Sequence, residues 1–394
     1  MQIKQWIACL SAGFLWVGSA SAQAEKEQLQ VPQCLASHLS PTYEVLAEDK
    51  NFRIIEVPSA DLNSIALIAD KAQCGRFVNV THRLAADKKS EQALQLLQAP
   101  APLKKATKPR FTIKHRTMVM DAIKQVQSTD ILATLKRLTE FENRSATKKT
   151  GVNAANWLKK TFDGYAASSN KNVKSFFVKT GDNYKQPSLV TVIGTDLKGA
   201  GVLLGAHMDT LDGRMPGAGD DGSGSATIME VAKIVLDMDL PLKRPVYIIW
   251  YSAEERGLVG SQFVVEYFQK HKMEVMTAVQ FDMTGFRNDR DDPTMWLYRD
   301  YTDDDLTDYL AELITNYIEV PIGESECGYG CSDHASWTAA GVPAAFPCET
   351  DFEHHNTKIH TRYDTMDRLS PEHMTNFAIL GLAYILELAA DYEI

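Results

Sequence analysis

From about residue 115 onward, two hydrophobic rhythms alternate along the chain. Short runs dense in Val, Ile, Leu, Tyr and Trp read as strands over 188–193, 201–206, 245–251, 277–281, 294–299 and 342–346. Between them, apolar residues recur at helical spacing over 130–141, 151–165, 223–238, 258–271, 306–318 and 371–390, with Ser223 expected as an N-cap. Strands with little polar alternation are covered on both faces. The pattern therefore predicts an α/β fold: a mixed, mostly parallel central β-sheet sandwiched by helices.

The first hundred residues read differently. Lys4 precedes an apolar stretch at 6–17, and small residues follow at 18–22, ending Ala20-Ser21-Ala22. That is the build of a signal peptide, and the run falls short of the roughly 20 apolar residues that span a bilayer. No later segment is long and apolar enough to do so, and the expected location is secreted. Residues 25–98 alternate short strands and helices, such as the strand 52–57, without any chemical constellation. Then Ala99-Pro100-Ala101-Pro102-Leu103-Lys104-Lys105, with Lys108-Pro109-Arg110, reads as an exposed linker open to proteolysis. The division is thus a signal peptide at 1–22, a small α+β module with its linker at 23–110, and the α/β domain at 111–394. A leader, a module and a cleavable linker suggest a propeptide and hence a zymogen. A permanent accessory domain is the alternative left open.

Composition adds exclusions. Apolar residues make up 44% and charged residues 23% of 394, which is ordinary for a globular protein. The formal net charge is -10 and no basic cluster stands out, so no nucleic-acid partner is expected. Of the six cysteines, Cys9 would leave with the signal peptide, and export permits disulfides among the remaining five. Cys327-Gly328-Tyr329-Gly330-Cys331 closes a short loop and is expected to be bridged. Cys34 and Cys74 could bridge each other, leaving Cys348 as a buried free thiol.

Candidate chemistry clusters just after the predicted strands: His207-Met208-Asp209, then Glu254-Glu255, then Asp282. In open α/β sheets the ligand crevice lies at these carboxyl ends. Pro216-Gly217-Ala218-Gly219-Asp220-Asp221-Gly222-Ser223-Gly224 adds two aspartates in a loop free to bend, and His360 follows His354-His355. Each motif alone fits surface charge or a helix cap. Together, two histidines and three carboxylates suit zinc, and five ligands exceed the three that one open catalytic zinc takes. They fit two metals sharing Asp220. Asp209 could orient His207, and Asp364 could orient His360, as outer carboxylates. Glu254, beside a ligand but free, is the candidate proton carrier.

Over 115–394 these motifs, with Cys327-Gly328-Tyr329-Gly330-Cys331-Ser332-Asp333-His334 and Ile359-His360-Thr361, resemble the secreted bacterial leucyl aminopeptidases with co-catalytic zinc. The resemblance implies the zinc-exopeptidase fold, two Zn2+ per chain, and hydrolysis of N-terminal, leucine-like residues from peptides with a free N-terminus. It implies that Asp220 bridges, that His207 and Asp282 complete one metal, and that Glu255 and His360 complete the other. Glu254 would be general base and acid, and Tyr329 would hydrogen-bond the tetrahedral intermediate. The Asp220-Asp221 bond would be cis, and the N-terminal module a removed propeptide. Met283, Phe346, Phe352, Ile359 and the Cys327–Cys331 bridge would wall the side-chain pocket. Cys348 departs from the pattern, where an aromatic residue is expected, and reshapes that pocket. His334 is expected to be packed, and the chain to be a monomer. Competing readings are a one-zinc glutaminyl cyclase, a carboxypeptidase, and a peptidase-like binding module without ligands.

Overall fold

The computed structural model describes residues 25–98 and 111–390. The expected signal peptide and the linker at 99–110 lie outside the described residues.

The N-terminal module comprises β1 (Lys26–Pro32), α1 (Gln33–His38), β2 (Glu44–Glu48), β3 (Phe52–Pro58), α2 (Leu62–Ala72), β4 (Val78–Asn79) and α3 (Lys89–Gln98). Its strands pair antiparallel in the order β2-β3-β1-β4. Ile65, Ala66 and Ala69 of α2 bury against Leu29, Val31, Ile55 and Val57 of the sheet. A disulfide, Cys34–Cys74, ties α1 to the segment following α2.

The larger unit runs α4 (Arg116–Ile123), α5 (Ser128–Thr139), α6 (Lys149–Ala166), β5 (Val173–Val178), β6 (Ser188–Ile193), β7 (Gly201–His207), α7 (Gly224–Asp237), β8 (Val246–Tyr251) and α8 (Val259–His271). It continues through β9 (Val275–Gln280), β10 (Met295–Tyr298), α9 (Asp304–Tyr317), β11 (Ile322–Ser325), α10 (His334–Ala339), β12 (Ala344–Cys348) and α11 (Pro371–Ala389). Its eight strands lie in the order β11-β10-β12-β9-β7-β8-β6-β5. The central run β12-β9-β7-β8 is parallel throughout, while β5, β6 and the β10–β12 pair are antiparallel.

The continuous apolar strands divide their residues by period two. Val246, Ile248 and Trp250 of β8 face a core shared with α5, α6, α7, α9 and α11, and Tyr247, Ile249 and Tyr251 face one shared with α8. α7 and α11 are buried on nearly every side, and α11 accordingly shows little amphipathic contrast. At Gly224 a Cβ would lie 2.2 Å from the Phe281 carbonyl oxygen, so glycine lets α7 start hard against the end of β9. Ser370 caps α11, accepting from His373 N, and Asp303 caps α9, accepting from Leu306 N. Ser223 departs from its expected capping role. Its backbone is already helical, following a wide turn at Ala218–Ser223, and its hydroxyl donates to Gly219 O and accepts from Thr284 N.

Candidate active site and metal centre

The parallel strands deliver the candidate residues to one rim. His207 ends β7, Glu254 and Glu255 follow β8, Asp282 follows β9, and Cys348 ends β12. Asp220 arrives from the wide turn before α7, across a cis Asp220-Asp221 peptide, and His360 from the loop before α11. All seven side chains are buried. Non-glycine residues with positive φ bracket them: Ala253 (54°), Met283 (67°) and His360 itself (57°). Left-handed backbone at such residues is held by its surroundings and concentrates at functional sites.

Two groups of donor atoms form around a shared carboxylate. His207, Asp220 and Asp282 offer atoms within 4.8 Å of one another, and so do Asp220, Glu255 and His360. His207 Nε2 lies 2.9 Å from Asp220 Oδ1 and 3.5 Å from Asp282 Oδ1, yet neither ring nitrogen makes a well-formed hydrogen bond. His360 Nε2 lies 2.8 Å from Asp220 Oδ2 and 3.1 Å from Glu255 Oε2. Buried histidine nitrogens facing carboxylate oxygens without aligned hydrogen bonds suit ligands aimed at a cation. Four carboxyls in one buried site also demand positive charge. The residues present therefore fit divalent metal, and nitrogen with oxygen donors fit zinc.

The surroundings hold this arrangement. Asp221 accepts from His207 N, Gly224 N and Met283 N, clasping three segments. Arg144 is fully buried and donates to the carbonyls of Met208, Pro216 and Gly217, bracing the loop between His207 and Asp220. Asp209 sits 3.6 Å from His207 Nδ1, beyond hydrogen-bond reach, while its carboxylate accepts from Glu254 N (3.0 Å) and Glu255 N (3.3 Å). Its carboxylate thus fixes the glutamate turn, with the His207 imidazole alongside but not in an aligned hydrogen bond. Asp364 does not orient His360. It accepts from Gly219 N and Asp220 N, and the partner of His360 Nδ1 is Asp70 Oδ2, at 2.6 Å. Asp70 lies 290 positions away, so no local motif could announce it.

Glu254 and Glu255 differ. Burial pushes the Glu254 carboxyl well above its ordinary range. Burial acts on Glu255 too, but His360 and Arg76 outweigh it and hold that carboxyl low. Beside them opens a cavity lined by Met283, Tyr298, Cys327, Tyr329, Cys331, Phe346, Cys348, Phe352 and Ile359. The expected pocket residues all stand there, with Cys327–Cys331 bridged and Cys348 free and buried. Tyr298 was not singled out from the sequence and stacks at a tilt on Phe346. His334 is packed as expected, stacked 4.8 Å from Phe346, and burial drives its pKa down to about 3.

The N-terminal module closes over this cavity. Arg76 Nη1 lies 2.8 Å from Glu255 Oε2, 3.8 Å from Glu254 Oε2 and 3.5 Å from His360 Nε2. Gly75 lies under the Tyr329 ring, where a Cβ would fall 2.7 Å from Cδ1. Farther out, Asn79 N donates to Gly257 O, and Tyr184 OH donates to Glu27.

Comparison with known proteins places this geometry. Residues 189–385 match the model of Peptidase family M28. Leucine aminopeptidase 1 of the fungus Pyrenophora teres f. teres is 36% identical over 286 residues, covering 68% of this chain and 72% of that protein. The crystal structure of Legionella pneumophila LapA aminopeptidase is 54% identical with a TM-score of 0.90, covering 94% of this chain and 100% of that one. LapB from the same organism is 40% identical with a TM-score of 0.84, covering 92% and 99%. The chain belongs to peptidase family M28 and is a metalloaminopeptidase.

Proposed function

We propose that the protein removes hydrophobic, leucine-like residues from the free N-termini of peptides, using two zinc ions and Glu254. What carries this reading is the pair of donor groups sharing Asp220, with Glu254 beside them. His207, Asp220 and Asp282 would hold one ion, and Asp220, Glu255 and His360 the other. When bound, such a pair supplies Lewis-acid polarisation of the scissile carbonyl and lowers the pKa of water from about 15.7 toward about 7.

The chain's own groups do the rest. Glu254 takes a proton from the attacking water and hands it to the leaving amine, a role that suits a buried carboxyl with a raised pKa. Tyr329 donates a hydrogen bond to the oxygen that gains charge in the tetrahedral intermediate. The anionic surroundings of Glu255 and Asp220 favour the substrate's ammonium or amine, which an internal peptide residue lacks. Met283, Phe346, Phe352, Ile359 and the Cys327–Cys331 bridge take the side chain, with Tyr298 as a further wall. Cys348 leaves room where a bulkier residue would close the pocket.

Residues 23–110 act as a propeptide that covers the site, a reading supported by Arg76 and Asp70 inside it. Residues 1–22 direct export, which two disulfides suit; no helix among the described residues is long and apolar enough to cross a membrane. The site is built from one chain, so a monomer suffices. The test is Glu254→Gln with zinc counted alongside turnover of a leucyl anilide. The variant should bind as much zinc as the parent and lose about 10²–10⁴-fold in kcat. Parent-like turnover would sink the role given to Glu254.

A further inference from the structure

The contacts of Arg76 fall on one half of the centre. Its Nη1 takes Glu255 Oε2 at 2.8 Å and abuts His360 Nε2 at 3.5 Å, and its Nη2 donates to the Glu255 carbonyl at 3.3 Å. Those side-chain atoms are two of the three donors in the Asp220, Glu255 and His360 group. The other half is treated differently. Among the described residues, the close polar contacts of the His207 and Asp282 side chains are with Asp209, Asp220, Ser332 and each other, none of them cationic.

Resting on the two-metal reading above, we infer that Arg76 is a built-in substitute for the second cation: while the N-terminal module is docked, its guanidinium holds the Glu255 and His360 position against metal, so the intact chain loads one metal tightly rather than two.

A guanidinium and a metal ion would compete for the same Glu255 oxygen. Placed together in a buried site, they would also repel with little screening. Loading the position therefore requires either breaking a partly buried Arg–Glu pair or withdrawing Arg76. Withdrawal is resisted from both sides. Cys74, two residues before Arg76, is bridged to Cys34, and Asn79, three residues after it, is bonded to Gly257 on the larger unit. Gly75 has no room to shift toward Tyr329. Asp70 acts in the opposite sense on the histidine. By accepting from Nδ1 it leaves Nε2 turned to the centre, so His360 is presented though its position is blocked. Removing the module would take out the substitute cation, and the vacated charge would favour metal uptake. Maturation would then complete the centre as well as uncover it.

The test uses the full chain with its module attached, stripped by chelation and titrated with zinc by calorimetry. Bound zinc is counted by mass spectrometry after gel filtration. The parent should take one tight equivalent, with a second at least about tenfold weaker. Arg76→Met, similar in length without charge, should take two tight equivalents, and Arg76→Lys should behave like the parent. Should Arg76→Met fail to fold, Asp282→Asn decides: with its free half removed and Arg76 in place, that chain should hold no tight zinc. Two tight equivalents in parent and Arg76→Met alike would overturn the substitution by Arg76 and leave the two-metal reading intact. One equivalent in both would overturn the two-metal reading, and the inference with it.

Discussion

Glu349 is buried next to the pocket thiol, with Oε2 accepting from Gly285 N and Phe286 N, both at 2.6 Å. Its other oxygen has no partner among the described residues, and burial raises its pKa from 4.5 to about 8, against the pull of those two amides. The folded chain thus keeps a proton that the unfolded chain loses above its ordinary value. Between pH 4.5 and about 8 the folded state binds more protons, so stability falls as pH rises through that window and levels off above it. The slope from this one group is at most about 1.4 kcal/mol per pH unit. Glu349→Gln copies the neutral form and should remove that slope, making the variant gain on the parent as pH rises. Urea unfolding at pH 5 and pH 8 measures it, and equal pH slopes in the two proteins would refute a protonated Glu349. The same burial pushes up both Glu254 and Glu255 at the centre, and the charges of His360 and Arg76 outweigh it at Glu255 alone.

At the scale of elements, the chain advertises what packs strongly and hides what packs weakly. β6, β7 and β8 are buried at every residue, and their apolar runs mark them without ambiguity. β5 and β11 are the sheet's edges and are only partly buried, so their sequences carry no clean pattern. The donor residues were legible because parallel strands must present their ends on one rim. What holds them was not. Asp364, four positions from His360, serves the Asp220 loop instead, because a left-handed His360 turns its ring toward Asp70. Arg144 is the other hidden part. A lone arginine before a helix reads as a surface charge, yet it is fully buried among the carbonyls of Met208, Pro216 and Gly217. Arg144→Met keeps most of the volume and strands those acceptors, each costing about 1–3 kcal/mol. The expected loss of stability exceeds about 3 kcal/mol, with zinc affinity falling as the loop from His207 to Asp220 loosens. Thermal unfolding within about 0.5 kcal/mol of the parent would show that water replaces the guanidinium there.

Across the whole molecule, the module meets the larger unit through an apolar seam, where Leu211 and Met215 pack into the module's core, through the His82–Glu266 pair at 3.3 Å, and through a set of hydrogen bonds. Asn79 and Gln262 meet near Gly257, Glu27 meets Tyr184, and Asn63 accepts from Asp212 N. Arg76 and Asp70 reach into the centre itself. While the chain is intact, tethering gives the module an effective concentration of about the millimolar order, independent of dilution. A cut within 99–110 removes the tether without touching any of these contacts. The module would then stay bound at high protein concentration and leave on dilution. The intact chain should accordingly show low leucyl-anilide turnover at every dilution. The cut chain should start equally low and gain specific activity as it is diluted toward the nanomolar range. Progress curves at serial dilutions, with gels to follow the cut, give both measurements. Equal, dilution-independent activity before and after cutting would identify residues 23–110 as a permanent accessory domain, and Arg76 as a resident of the working centre.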